Sequence, residues 1–255
     1  MPHITKWAGY FGPFTGERLP RRLERYLVKR SRNPVLVYGP AESPPLISFL
    51  PAVMSEDELR RARDLSHGRT WEPPWKILSV GGLSDEKGFA LAIRGLGRLQ
   101  ARSPHLRWRF TLIGDGPDAS KLRELAKHSD IVDRVTFTGA LSFDLAQCHY
   151  AEAHVVIMPG VQEGWPKPIP EAWAHGAVPL AAAAGIIPWI LDGKQAGLTF
   201  APTPDGLAGA LHELLSNPPA MKAMASRGPR LAAELSLETF AARLERLLVD
   251  SCHLA

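Results

Sequence analysis

The chain has 255 residues, of which 45% are hydrophobic and 22% charged, and its formal net charge is +4. That much apolar material builds a full globular core, while no apolar run approaches the roughly 20 residues of a membrane-spanning helix. The mildly basic balance suits an anionic ligand and does not by itself call for nucleic acid.

Cys148 and Cys252 make neither a disulfide framework nor a metal-ligand spacing, so a reducing compartment is expected. Residues 1–16 lack the continuous apolar stretch of a signal peptide, which fits a cytoplasmic location. Residues 17–32 hold seven Lys/Arg and two Glu, with Leu19, Leu23 and Leu27 at helical spacing. They predict a basic amphipathic helix. Such a helix is either an ordinary solvated face or a peripheral contact with anionic lipid. A short strand follows at 35–38. Ser55 with Glu58 reads as a capping box opening a helix over 56–65. Residues 66–75, rich in Gly, Pro and Trp, predict a linker.

From residue 76 the pattern is regular. Short apolar strands are predicted at 76–80, 109–113, 134–137, 154–158, 178–182 and 198–200. Helices fall between them, at about 86–101, 118–128, 142–151, 168–175, 186–191 and 205–216. Two more follow at about 219–234 and 236–250, the second capped by Ser236. Alternation of this kind predicts an α/β fold: a Rossmann-like parallel sheet with helices on both faces. Ligands of such sheets bind where strands hand over to helices.

The loops at that edge carry the chemistry. Gly81 and Gly82 let backbone approach a ligand, the next helix offers free N–H groups, and Lys87 adds charge. A plain turn with a solvated lysine is the competing interpretation. Gly114-Asp-Gly-Pro follows a strand and reads at least equally as a structural turn, and Gly139, also after a strand, reads locally as a turn. The stretch EGWPKPIPEAWAHG, 163–176, places Glu163 in a loop and Glu171 in the first turn of a helix that starts at Pro168. Carboxylates there either bind vicinal hydroxyls or complement the helix dipole. Gly164, Trp165 and Pro166 lie between them, and Trp165, Trp173 and Trp189 are either site or core residues.

These motifs, in this order, make residues 76–250 similar to the C-terminal, donor-binding domain of the retaining glycosyltransferases of family 4, which have the GT-B fold. The matching pieces are Val-Gly-Gly-Leu-Ser-Asp-Glu-Lys-Gly at 80–88, Ile-Gly-Asp-Gly-Pro at 113–117, Arg-Val-Thr-Phe-Thr-Gly at 134–139, and the E-x7-E motif at 163–171. The resemblance implies sugar transfer from a nucleotide-diphosphate sugar, with retention and without a metal. Glu171 would hold the ribose and Glu163 would lie by the donor sugar, assisted by the backbone of Gly164 to Pro166. Gly81, Gly82 and Lys87 would hold the pyrophosphate, with Gly114 at the next turn. Gly139 falls in the 137–141 segment that would flank the base. The acceptor, a saccharide or a lipid-linked group, is left open.

Two departures qualify the resemblance. Gly82 stands where the family has Arg, and Lys167 is the nearby cation that would compensate. Only about 70 residues stand where the family has its acceptor domain. The expected organisation is therefore a truncated N-terminal segment over 1–75, a donor-binding domain over 76–235, and a C-terminal helix over 236–255 packing back on the N-terminal part. A separate chain would then supply the acceptor domain. The alternative is a non-catalytic nucleotide-sugar binding module.

Overall fold

The computed structural model describes residues 5–10, 26–31, 34–41, 44–161 and 164–253. Most of the expected basic helix, and Glu163, lie outside the described residues; only 26–28 of that helix are seen as helical.

Two parallel sheets are present among the described residues. The first has strands β1 (Thr5–Tyr10), β2 (Val35–Tyr38) and β3 (Leu46–Ser48), with β2 in the middle. Of these only β2 was expected. Gly9 and Lys6 break the apolar pattern of β1, and three residues are too few for β3 to show a period. The second sheet has β4 (Trp75–Val80), β5 (Trp108–Ile113), β6 (Val135–Gly139), β7 (Val155–Met158), β8 (Val178–Ala182) and β9 (Leu198–Phe200). Its spatial order is β6-β5-β4-β7-β8-β9, all parallel.

Period-two alternation sends neighbouring residues of β4 to different cores. Ile77 packs with Phe110, Ile157 and Leu180 under helices α2 (Phe89–Arg102), α3 (Ala119–His128) and α7 (Pro204–Ser216). Leu78 packs with Val156, Tyr150 and Ala172 under α4 (Phe143–Glu152) and α5 (Pro168–Ala174). Strands covered on both faces read as unbroken apolar runs, as β7 and β8 do. Helix α1 (Glu56–Ser66) starts with the expected capping box: Ser55 Oγ accepts from Glu58 N at 3.2 Å, and Ser55 N donates to Glu58 Oε2 at 2.7 Å.

The single helix expected over 219–234 is two, α8 (Pro218–Ala225) and α9 (Gly228–Ala233). Pro229 has no N–H to carry α8 onward. Gly228 also lets α9 press on α5, because a Cβ there would stand 2.9 Å from the Trp173 Cα. A Gly228→Val chain is expected to lose about 2 kcal/mol through overpacking, read as a lower urea midpoint at unchanged m-value. Trp173 is buried with residues of α9 and of α6 (Ile187–Leu191), and donates Nε1 to the Ala196 carbonyl at 2.7 Å.

The last helix, α10 (Leu237–His253), begins at Ser236, whose Oγ accepts from Thr239 N at 3.0 Å. Its start is tied to the segment before α1. Leu237 N donates to the Met54 carbonyl at 3.0 Å, Glu56 N to Glu238 Oε2 at 2.9 Å, and Phe49 meets Phe240 edge to face at 4.9 Å.

The expected linker has no regular structure over 67–74, yet it is held firmly. Arg69 reaches the carbonyls that end α4 and α5, and Trp71 packs edge-on to His154 at 5.4 Å.

Candidate functional site

From β4 the chain steps outward through β5 to β6. It then returns to the other side of β4 and steps outward through β7, β8 and β9. The order of the strands therefore reverses between β4 and β7, which pair through Ile77–Val155 and Leu78–Val156. A parallel sheet leaves a crevice at such a point, because the loops leaving the two strands diverge. A cleft of about 360 Å³ occupies it here.

One wall is the loop after β4, with Gly81, Gly82 and Lys87, backed by Phe89. The other follows β7 and comprises Pro159, Gly160, Trp165, Lys167 and Glu171. Gly88 joins the two walls. Its φ is +70°, and a Cβ would lie 2.6 Å from the Pro159 carbonyl oxygen. Glycine meets both demands, and α2 starts at this pinch. Its first intrahelical bonds are from Leu91 and Ala92 to Gly88, so the N–H groups of Phe89 and Ala90 precede the helical ladder and carry the positive end of its dipole.

Gly114 and Gly139, expected at the ligand, do not line the cleft. Gly114 has φ +141°, and a Cβ there would fall 1.9 Å from the Gly81 carbonyl oxygen. Its N–H donates to Gly139 O at 2.9 Å. Gly114 thus backs the Gly81 wall through backbone, and Gly139 pairs with Gly114. Gly114→Ala is expected to cost about 3 kcal/mol, at the upper end of single-site effects, and to displace Gly81. A thermal melt checks the first and nucleotide titration the second. Gly164 is exposed and Pro166 buried, and neither lines the cleft. Trp189 is exposed outside it. Trp165 is the tryptophan of the cleft wall. Its Nε1 is buried with no hydrogen-bond partner among the described residues, and the Tyr38 ring at the end of β2 lies 6.1 Å away.

Glu171 is the half-buried carboxylate of the cleft wall. The Tyr150 hydroxyl on α4 donates to its Oε2 at 2.6 Å. Burial raises the Glu171 carboxyl above its ordinary range, against the lowering effects of the Tyr150 hydrogen bond and the Lys167 charge. Burial first, then the adjacent carboxylate, pushes the Tyr150 phenol well above 10, so it stays a donor. His175 completes the group. It stacks on Tyr150 at 5.5 Å, and its Nδ1 lies 2.9 Å from the Glu171 carbonyl. Nδ1–H therefore donates, leaving Nε2 buried and without a partner among the described residues. The tie between Tyr150 and Glu171 was not foreseen, because nothing in a tyrosine on an apolar helix face announces a partner on another helix. Among the described residues no group of three His, Cys, Asp or Glu side chains gathers where a metal would sit.

The fold and its crevice define one class: a Rossmann-like half of the GT-B architecture, with its site at the carboxyl edge of the sheet. The chain belongs to the family described as Glycosyl transferases group 1, which matches residues 74–217. It is 29% identical over 195 residues to an uncharacterized glycosyltransferase of Haemophilus influenzae, covering 71% of this chain and 50% of that one. It is 29% identical over 225 residues to the GDP-mannose-dependent alpha-(1-6)-phosphatidylinositol monomannoside mannosyltransferase of Mycobacterium tuberculosis, covering 83% and 57%. The chain thus spans about half the length of the curated relatives it matches. Among solved structures, Anabaena HepE in complex with UDP superposes with a TM-score of 0.76 at 16% identity, covering 98% of this chain and 72% of that one. Sucrose-phosphate synthase of Thermosynechococcus elongatus gives 0.73 at 18% identity, covering 99% and 68%.

Proposed function

We propose that this chain is a glycosyltransferase of the retaining family-4 type, or the donor-binding half of one, using a nucleotide-diphosphate sugar. The observation that carries the reading is the cleft at the strand-order reversal. It brings two lysines, a glycine-lined wall and one half-buried carboxylate to the same place. The HepE structures holding UDP and UDP-glucose support a nucleotide sugar as the ligand. Relatives named as mannosyltransferases support a hexosyl donor.

In this reading Glu171 accepts from the ribose hydroxyls, and Lys87, Lys167 and the first N–H groups of α2 face the pyrophosphate. Glu163 stands by the sugar. The bond from the anomeric carbon to the diphosphate breaks as the acceptor hydroxyl approaches on the same face. The acceptor oxygen bonds to that carbon and its proton passes to the departing phosphate oxygen, so configuration is retained. Negative charge grows on the leaving group, where the lysines stabilise it most. No metal is assigned a role.

Residues 1–75 form the acceptor-side segment, 76–235 the donor domain and 236–255 the returning helix, a division supported by the Phe49–Phe240 contact. The acceptor is a saccharide or a lipid-linked group, the location is cytoplasmic, and any membrane contact is peripheral. No helix among the described residues is long and apolar enough to cross a membrane.

Calorimetric and thermal-shift titration with UDP, GDP and ADP, on the wild type and Glu171→Ala, tests the reading. Ligand at a hundred times its dissociation constant adds about 2.7 kcal/mol of stability. One nucleotide is expected to bind, and the mutant to lose it; no binding of any of the three removes the reading. A donor sugar that binds and is never transferred or hydrolysed would leave a binding module instead. Lys167→Ala is expected to weaken the nucleotide about tenfold, the value of one charge-assisted contact. Unchanged affinity would end its role as substitute for the arginine absent at Gly82.

A further inference from the structure

We infer that Tyr150 is a positioning residue for nucleoside recognition: it holds one carboxylate oxygen of Glu171 so that the other alone meets the ribose of a nucleoside diphosphate. The inference rests on reading the cleft as a nucleotide site.

The geometry has three parts. The hydroxyl donates to Oε2 at 2.6 Å, and among the described residues no hydrogen bond reaches Oε1. Glu171 lines the cleft, so Oε1 is the oxygen left for a ligand. The donor itself is fixed, with the Tyr150 ring 1% exposed, stacked on His175 and packed among Leu78, Val156 and Ala172. The last torsion of a glutamate is broad. An untethered carboxylate would present either oxygen at many angles and lose that freedom when a ligand bound. Tyr150 and Glu171 come from different helices, so the tether also sets how α4 and α5 meet at the cleft. A single fixed acceptor suits a pair of adjacent hydroxyls and penalises a sugar that lacks one of them.

The charged and titratable groups around the carboxylate are few. Tyr150 faces it from α4, Lys167 and His175 stand at the two ends of α5, Arg69 lies beyond His175, and Lys87 lines the opposite wall. Of these, the Tyr150 hydroxyl is the one that donates to it.

Tyr150→Phe keeps the ring, its stack and its packing, and removes the hydroxyl. The probe is whichever of UDP, GDP and ADP binds the wild type, together with its 2′-deoxy counterpart. Three changes are expected: affinity about tenfold weaker, the size of one hydrogen bond to a charged group, a smaller ribose-to-deoxyribose ratio, and an acid limb of binding displaced to higher pH. The last follows because Tyr150 no longer favours the ionised carboxylate, and a residue that merely packs would not move it. Wild-type binding with Tyr150→Phe within about twofold in affinity, and with the same acid limb, overturns the inference while leaving the cleft reading intact. Absence of wild-type binding overturns the cleft reading itself. Should Tyr150→Phe not fold, 3,5-difluorotyrosine at 150 keeps the shape with a stronger donor. It is expected to move the acid limb down, and an unmoved limb there overturns the inference as well.

Discussion

An Arg69→Met chain is expected to be about 4 kcal/mol less stable than the wild type, the cost of stripping partners from several buried polar groups at once. Arg69 lies in the 67–74 crossing between α1 and β4. Its Nη1 donates to the carbonyls of Ala151, at 3.3 Å, and Ala153, and its Nη2 to those of His175, at 2.8 Å, and Gly176. These carbonyls end α4 and α5, where the ladder leaves oxygens unpaired and the dipole is negative. One guanidinium satisfies both ends. Among the described residues no carboxylate pairs with it, and burial lowers it to about 10, so it remains charged at neutral pH. Trp71 covers it, with the ring centroid 5.1 Å from Cζ. Methionine fills similar volume and restores none of the donors. Arg69→Lys is expected to recover part of the loss, since three donors on one nitrogen cannot span two helix ends. Urea unfolding decides: a midpoint shift worth under about 1 kcal/mol would show that water replaces the guanidinium without cost.

The second large effect is acid sensitivity. Burial lowers His175 from 6.5 to about 4, with nearby Arg69 opposing protonation further. A lowered native pKa means that between pH 6.5 and 4 the unfolded chain binds a proton the folded chain refuses. Stability from this group is therefore complete above pH 6.5 and is lost as pH falls toward 4, by about 3 kcal/mol in all. His154 acts in the same direction. Burial lowers it, and it is fixed as the neutral form by accepting from Lys76 N at 3.0 Å while its Nε2–H faces the Thr70 carbonyl at 2.8 Å. Glu171 opposes both. Its raised carboxyl gains its proton more readily when folded, which returns some stability as pH falls. Denaturant melts at intervals from pH 7 to 4 are expected to show falling stability in the wild type and a shallower fall in His175→Gln. Parallel curves would exclude His175 as the sensor.

Most of the larger sheet was open to reading because its strands are short and largely apolar, β7 and β8 without a break because both their faces are buried. The cap at Ser55 was open for the same local reason. What escaped was tertiary. Arg69 sits in a Gly, Pro and Trp stretch that reads as solvated linker, and its four carbonyl partners lie 82 to 107 residues away. Tyr150 is a core residue, and its hydroxyl meets Glu171 only once α4 and α5 lie side by side. Gly114 and Gly139 were placed at the ligand by the family resemblance, while locally each reads as a turn after a strand, and neither lines the cleft. The backbone that Gly114 accommodates belongs to the protein itself, at the Gly81 carbonyl. Lys87 and Glu171 were named from motifs, and both line the cleft.

The strand order also dictates when the protein becomes safe from other chains during its synthesis. β4 lies at the centre of the finished sheet, yet its second neighbour, β7, begins roughly 75 residues later in the chain. At ribosomal speeds that interval lasts roughly 4 to 15 s. Throughout it the first three strands emerge with one flank of β4 unpaired and strongly apolar, the arrangement most prone to pairing with a neighbouring nascent chain. The reversal that opens a crevice for a ligand thus also sets a window in which the growing polypeptide depends on chaperones, and a ribosome stalled between residues 139 and 155 would hold that window open.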